Sequence, residues 1–281
     1  MSTTWTPSAR ELERRRIRRQ DKVRRTALST AITIVVVVVA WWVVTSSPGW
    51  PRVKDTFFNW HDVTASFPAI IKGFWTNVRM FLAAEVLILI VGTVVAVVRQ
   101  SRTPWLTPVR IAAVLYTDLF RGVPTILVVY FFGLGIPALR LSGVPSSAFW
   151  LATFALVASY GAYVAEVIRS GIESIHPSQL ASADALALSR AQTMRHVVLP
   201  QAYRRVLPPL LNDFVSLQKD TALASLALVF ESTFAAMDYS NYHFSYTGLT
   251  VSAVLFVLLT IPMARLTDWL SARARRREFG R

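Results

Sequence analysis

Apolar runs alternate with polar stretches along the 281-residue chain. The apolar runs cover 28–45, 73–98, 109–133, 148–168, 208–235 and 249–270. Each holds about 20 residues with few charges, and a helix of that length crosses about 30 Å of hydrocarbon. Because backbone polar groups must be satisfied inside lipid, the pattern predicts an all-α integral membrane protein with about six transmembrane helices. A transmembrane β-barrel would alternate apolar and polar positions, and the valines at 35–39 do not.

The longest polar interruption is residues 169–206, which we call the insert. Ser178 is a candidate N-cap for a first short helix over 179–187. A break is expected near Ala187 and Leu188. The insert is too long for a simple turn, which indicates a folded unit between the membrane helices and the cytosol.

A second helix is predicted in the same insert. Ser189 precedes Gln192 with the Ser-x-x-Gln spacing of a capping box, which marks a helix N-terminus. Pro200 disfavours helical geometry at the residue before it. This helix is therefore expected to end at Leu199.

Positive charge clusters at the two ends of a chain whose net charge is +14. Nine cationic residues lie within the first 27 and five within 273–281. Basic residues close to a membrane span mark its cytoplasmic side. With six spans, the loops assigned to the outside contain only Arg52, Lys54 and Arg140. Both termini are therefore predicted to be cytoplasmic in a multi-pass plasma (inner) membrane protein, and nucleic-acid binding by the tails is the disfavoured alternative.

This orientation divides the chain into five parts. The run 28–45 exceeds the apolar region of a signal peptide and no A-x-A site follows, which indicates an uncleaved anchor. The parts are a basic cytoplasmic tail (1–27), an N-terminal transmembrane helix (28–45), an external aromatic-rich loop (46–69), a membrane core (70–270) and a basic cytoplasmic tail (271–281).

Charged residues within apolar runs are functional candidates, because exposing them to lipid costs several kcal/mol. Glu85 lies in the second run, Glu166 near the inner end of the fourth, and Lys219 and Asp220 interrupt the fifth. These four residues are candidates for a substrate pathway, and charge pairing between helices is the alternative reading.

Asp118 and Arg121 lie three residues apart, so they are expected to neutralise each other on one helix. Pro124 is expected to kink that helix. The sequence has no G-x-x-x-x-G-K-[ST], H-E-x-x-H or G-x-S-x-G motif and no cysteine. We therefore expect no P-loop ATP binding, no metal or cofactor on this chain, and no enzyme activity of the chain alone.

Several segments resemble the permease subunits of ABC importers. Their cytoplasmic loop signature is Glu-Ala-Ala, three residues, Gly, about nine residues, and an apolar residue, a variable residue, Leu and Pro. The resemblance implies that the insert is the coupling helix, which docks on a cytosolic ATP-binding subunit. The positions implied are Ala181, Ser182, Ala183, Asp184, Ala187, Leu188, Ser189 and Pro200.

Other segments are similar to the permeases for polar amino acids. Residues 118–135 resemble their E-L-F-R-G-T-P run, and 160–175 and 189–225 are also similar. The likeness covers about 70–270. It implies a five-helix permease core, to which the first span is an N-terminal addition.

The resemblance implies an importer of a polar amino acid, with glutamate, glutamine or a relative first. Its expected partners are an ABC ATPase dimer carrying ATP-Mg, a second permease subunit (the same or homologous), an extracytoplasmic amino-acid-binding protein and the lipid bilayer. An ion-coupled secondary transporter and a membrane scaffold without transport are the alternatives. Inverted repeats with broken helices, typical of secondary transporters, are not evident.

Two residues depart from the family signature. Ala181 replaces its glutamate, and Asp184 one turn later is a candidate substitute. Ala187 replaces its glycine. If that position has left-handed backbone geometry, alanine costs on the order of 1 kcal/mol there.

Overall fold

The computed structural model describes residues 8–101, 103–140, 142–143 and 146–278. Helices account for most of these residues, and no strand occurs among them. Contacts divide the chain into two units, 1–55 and 56–281. The all-α prediction is confirmed.

The first unit consists mainly of one long helix, α1 (Ala9–Thr45). Ser8 caps it by accepting a hydrogen bond from the Glu11 amide. The part of the basic tail that the structure describes and the first apolar run therefore form one continuous helix. The valines at 35–39 are more than half exposed, as expected for side chains that face lipid.

The second unit is a helical membrane domain. After α2 (Trp50–Phe57), which crosses the boundary between the units, its helices are α3 (Trp60–Gln100), α4 (Thr107–Gly122), α5 (Thr125–Tyr130), α6 (Ile136–Ala138), α7 (Ala148–Glu173), α8 (Pro177–Ala185), α9 (Arg190–Thr193), α10 (Leu199–Asp220), α11 (Ser232–His243) and α12 (Thr247–Glu278). Two π-helical turns, Phe131–Gly135 and Met194–Val198, and two 3-10 helices, Pro104–Leu106 and Thr221–Ala227, connect some of them.

Four helical segments in the described chain are long and apolar enough to cross a membrane, and the number is six when each of two bent helix pairs is counted as one span. The single segments are Ala9–Thr45, Trp50–Gln100, Ala148–Glu173 and Thr247–Ala274. The prediction of about six membrane helices is confirmed.

The third apolar run is broken rather than gently kinked. Its two halves, Pro104–Gly122 and Thr125–Ala138, meet at 106°. Val123 is extended (φ −91°, ψ 128°), because the ring of Pro124 disfavours helical geometry at the preceding residue. The predicted kink at Pro124 is therefore present as a full break.

The run 208–235 is not one straight span, which corrects the prediction. α10 ends at Asp220, and a 3-10 helix leads to Leu228, which has left-handed geometry (φ +57°). α11 then starts at a 48° bend and occupies most of the predicted loop 236–248. The break forms because the Glu231 carboxylate accepts hydrogen bonds from the amides of Thr233 and Phe234 and so starts a new helix.

The predicted external loop 46–69 is also mostly helical. It contains α2 and the first turns of α3. Asn59 accepts a hydrogen bond from the His61 amide at 3.0 Å and starts α3 well before the apolar run. The cap, rather than the hydrophobic pattern, sets where this helix begins.

α3 and α7 pack along each other at the centre of the domain. Met80, Ala84 and Ile88 on α3 and Ala155 and Leu156 on α7 are almost fully buried. The two backbones come close because Gly92 faces α7. A Cβ at Gly92 would lie 2.5 Å from a methyl group of Val164.

A buried polar network joins α3 to the break between α10 and α11. The Asn77 amide nitrogen donates to Glu231 Oε2 at 2.9 Å and to Thr221 Oγ1 at 3.2 Å. Asn77 Oδ1 accepts from the Ser232 amide at 3.1 Å. Asn77 and Glu231 are at most 2% exposed, so these contacts satisfy polar groups that water does not reach.

Candidate functional site

The first insert helix, α8, starts earlier than predicted. His176 caps it, since its ring nitrogen Nδ1 accepts from the Ser178 amide at 3.2 Å. Pro177 fits the first helical position because it has no N–H to leave unpaired. The prediction of Ser178 as N-cap is therefore wrong. Pro177 disfavours helical geometry at the residue before it, so His176 is extended and occupies the capping position.

α8 ends in a Schellman motif centred on Ala187. The Ala187 amide donates to the Asp184 carbonyl at 2.9 Å, and the Leu188 amide donates to the Ala183 carbonyl at 3.1 Å. Ala187 has φ +54°. The left-handed turn that favours glycine is therefore formed here with alanine, at the break expected near Ala187 and Leu188.

The predicted capping box is present. Gln192 Oε1 accepts from the Ser189 amide at 2.8 Å, and Ser189 Oγ accepts from the Gln192 amide at 3.3 Å. These reciprocal bonds satisfy two backbone donors that the start of a helix leaves unpaired. The second insert helix begins where the sequence predicts.

That helix does not end at Leu199, which corrects the prediction. α9 passes through the π-helical turn Met194–Val198 into α10. The Leu199 amide bonds to the Met194 carbonyl, so the turn is wider than in an α-helix. The wider turn accommodates Pro200, which would otherwise clash with the preceding turn. A helical run therefore continues from Arg190 to Asp220.

The outward side of the insert is small and mostly uncharged. Ala181, Ser182, Asp184 and Ser189 are exposed, whereas Ala183 is buried at 2% exposure. The family-signature positions thus lie on an accessible surface, with Ala183 as the contact to the rest of the fold.

Leu186 is the most exposed large apolar side chain in the described part of the insert, and it was not singled out from the sequence. It is 74% exposed, whereas Leu188 is partly buried. The chain geometry decides this, because Leu186 is the last residue before the left-handed turn and points away from the domain. Leu186 lies between the signature positions Asp184 and Ala187, which makes it a candidate docking contact.

Close contacts hold the insert to the neighbouring helices. Arg205 on α10 donates to Ser174 Oγ at 2.9 Å, just after α7. Gly171 lets α10 approach α7, since a Cβ there would overlap a Val206 methyl group. Gln201 donates to Gln179 and links α10 to α8. The insert is therefore tied to both helices from which it extends.

Glu166 lies among three guanidinium groups from three helices. It is 2.9 Å from Arg99 on α3, 2.5 Å from Arg169 on α7 and 3.7 Å from Arg121 on α4. The expected pair of Asp118 with Arg121 is therefore wrong. Arg121 reaches Glu166 because the break after Gly122 places the end of α4 beside α7. Joining three helix ends gives Glu166 a structural role, and its place in a substrate pathway stays a prediction.

The other intramembrane charges lie at separate places. Glu85 is partly buried on α3, close enough to Asp213 on α10 for the carboxylates to interact electrostatically. Asp220 accepts a hydrogen bond from the Tyr160 hydroxyl at 2.8 Å, while Lys219 is exposed. Lys219 and Asp220 thus have different surroundings, as expected for adjacent helical residues. The structure does not gather the four pathway candidates into one site.

The match to a known protein family covers most of this architecture. Residues 89–276 match the family described as "Binding-protein-dependent transport system inner membrane component". The chain belongs to this family. Its members are permeases of ABC importers, so the identification made from the signature residues is confirmed. The N-terminal helix α1 lies outside the matched region.

Similarity to individual relatives extends along most of the permease. The chain is 29% identical over 205 residues to the "Probable amino-acid permease protein YxeN" of Bacillus subtilis (strain 168). This alignment covers 72% of this chain and 90% of YxeN. The chain is 30% identical over 220 residues to the "Glutamate transport system permease protein GluC" of Corynebacterium glutamicum. This alignment covers 73% of this chain and 94% of GluC.

A solved structure with the same fold is described as "Crystal structure of an amino acid ABC transporter with histidines". The TM-score is 0.68 at 25% identity, over 75% of this permease and 96% of the other chain. The permease is thus a multi-pass inner-membrane subunit of an ABC importer. ATP use in this family lies with separate ATPase subunits, and membership disfavours both the secondary-transporter and the scaffold alternatives.

Proposed function

We propose that the insert is the surface on which a cytosolic ABC ATPase dimer docks, and that it transmits the movement of the ATPase to the membrane helices. The supporting observation is the helical run from Arg190 to Asp220. The run stays helical through its π-helical turn and past Pro208 and Pro209, so a displacement at the insert is passed along it to the membrane end of α10. The docking surface comprises Ala181, Ser182, Asp184, Ala187, Leu188, Ser189 and Pro200, with Leu186 as the central apolar contact and the buried Ala183 supporting it from beneath.

The substrate in this proposal is a polar amino acid, and glutamate and glutamine are the first candidates. Relatives named for glutamate and for glutamine transport support that class. A relative named for arginine transport has a similar identity, 31%. We place an extracytoplasmic binding protein on the outer side and a second permease, the same or homologous, beside this one. Both termini are cytoplasmic in this arrangement, because the basic residues cluster there.

Replacement of Leu186 by aspartate tests the docking surface. We expect about 30-fold weaker association with the ATPase subunits, because losing a central apolar anchor costs about 2 kcal/mol and the new carboxylate must be desolvated. ATP-driven uptake of labelled glutamate into proteoliposomes should fall with it. In the wild type, unlabelled glutamine should compete with that uptake.

Leu139→Asp is the matched control, since Leu139 is 65% exposed but lies after α6, outside the insert. It should leave ATPase association unchanged. Equal association of the Leu186→Asp variant and the wild type would refute docking at this surface. Uptake insensitive to glutamine would refute the substrate class alone.

A further inference from the structure

A basic cavity lies where α3, α4 and α7 meet, beside the insert. Its volume is about 350 Å³. Three arginines from the three helices line it: Arg99, Arg110 and Arg169. Glu173 is its acidic lining residue. The cavity therefore combines a concave shape with three positive side chains against one acidic side chain.

The positive charge of the cavity is only partly neutralised. Arg99 and Arg169 share the carboxylate of Glu166, and Arg169 also pairs with Glu173. Arg110 donates to the Ser101 carbonyl at 3.1 Å, and no carboxylate within ion-pair distance of Arg110 is found in the described part of the chain. Each guanidinium carries five N–H donors, so several remain for an anionic ligand.

One wall of the cavity is apolar and open. Ile111 and Leu115 line it from α4 and are 55% and 64% exposed. They lie one and five residues after Arg110, on a helix of a bent pair apolar enough to enter the membrane. A ligand with a phosphate group and hydrocarbon chains fits both parts of this lining. Free phosphate would leave the apolar wall unused.

We propose that this cavity binds the phosphate group of an anionic phospholipid, held by Arg99, Arg110 and Arg169. Arginine forms strong, charge-assisted hydrogen bonds to phosphate oxygens, and basic pockets between membrane helices bind anionic headgroups. The acyl chains lie along Ile111 and Leu115. Because α7 leads directly into the insert, the bound lipid steadies the helix ends from which the insert extends. This site is separate from the docking surface and does not depend on it.

Lipid titration of the full chain, purified and delipidated in a neutral detergent, tests the proposal. We expect phosphatidylglycerol to raise the thermal unfolding midpoint and to remain bound in native mass spectra, whereas phosphatidylcholine does neither at the same concentration. Arg110→Gln should weaken phosphatidylglycerol binding about tenfold, the effect of one charge-assisted hydrogen bond. Arg110 is chosen because its removal leaves the ion pairs of Glu166 intact.

Arg265→Gln is the matched control, because it removes one exposed arginine from α12, which does not line the cavity. It should bind phosphatidylglycerol like the wild type. Arg110→Lys keeps the charge and should fall between the wild type and Arg110→Gln. Equal binding by the two glutamine variants, or no preference for phosphatidylglycerol over phosphatidylcholine, would overturn the site. If inorganic phosphate at the same concentration raised the thermal unfolding midpoint as much as phosphatidylglycerol does, a lipid would be refuted as the ligand of this cavity.

Discussion

Ala187 has the left-handed backbone conformation that usually requires glycine. Its φ of +54° lies in the region where a Cβ clashes with the following carbonyl oxygen. The turn nevertheless forms, because the amides of Ala187 and Leu188 satisfy two carbonyl groups at the end of α8. Alanine at the family glycine position thus keeps the shape of the turn, and we expect its Cβ to lower the stability of the turn.

Ala187→Gly should stabilise the protein by about 1 kcal/mol, because glycine adopts left-handed geometry without a steric penalty. Thermal or denaturant unfolding in detergent measures the change. Ala185→Gly is the control, since Ala185 is exposed at the last position of α8 with ordinary helical geometry. It should destabilise by about 0.5–1 kcal/mol. A loss of stability in both variants would contradict strain at Ala187.

At the level of elements, the break between α10 and α11 depends on α3. Asn77 bonds to Thr221 before the break and to Glu231 and Ser232 after it. Gly73, one turn earlier on α3, lets the backbone of Glu231 approach, since a Cβ there would lie 2.5 Å away. A helix distant in the sequence therefore fixes where this span bends.

Asn77→Ala should lower the free energy of unfolding by about 3 kcal/mol, because it leaves the buried Ser232 amide and the Glu231 carboxylate short of partners. The loss should appear as a lower unfolding midpoint in detergent. Thr76→Ala is the neighbouring control, because Thr76 is partly buried and only accepts a 3.4 Å hydrogen bond from Arg79. A midpoint equally lowered by both changes would argue against the network.

At the level of the whole molecule, the insert joins two membrane helices in different ways. α7 enters it through the tight turn at His176, while α9 leaves it as a continuous helix into α10. The α7 end is fixed to α3 and α4 by the arginines around Glu166. This asymmetry makes α10 the helix that we expect to carry movement from the docking surface into the membrane.

Replacing Arg195 and His196 together by glycine tests this transmission. Both are exposed in the π-helical turn, and each glycine costs about 1 kcal/mol of helix stability. The double variant should still bind the ATPase subunits but show several-fold less ATP-driven uptake per bound ATPase. The double alanine variant removes the same side chains, keeps the helix and should transport normally. Equal uptake by the two variants would exclude transmission through this turn.

The sequence by itself determined the features that depend on neighbouring residues. Apolar run lengths predicted about six membrane helices, the Ser189–Gln192 spacing predicted the capping box, and Pro124 predicted where the third run bends. Signature residues of the insert identified the permease family. Each of these follows from local geometry or from a short motif, so no distant contact is needed to infer it.

Tertiary structure alone decided the features that need a partner far along the chain. Arg121 pairs with Glu166 rather than with Asp118, because two helices meet beyond the break in the third run. The run 208–235 divides because Asn77 and the caps of α11 offer its backbone better partners than a straight helix would. Leu186 is exposed because a turn directs it outward. Hydrophobic pattern measures how apolar a segment is, and it carries no information about which distant side chain satisfies a particular polar group.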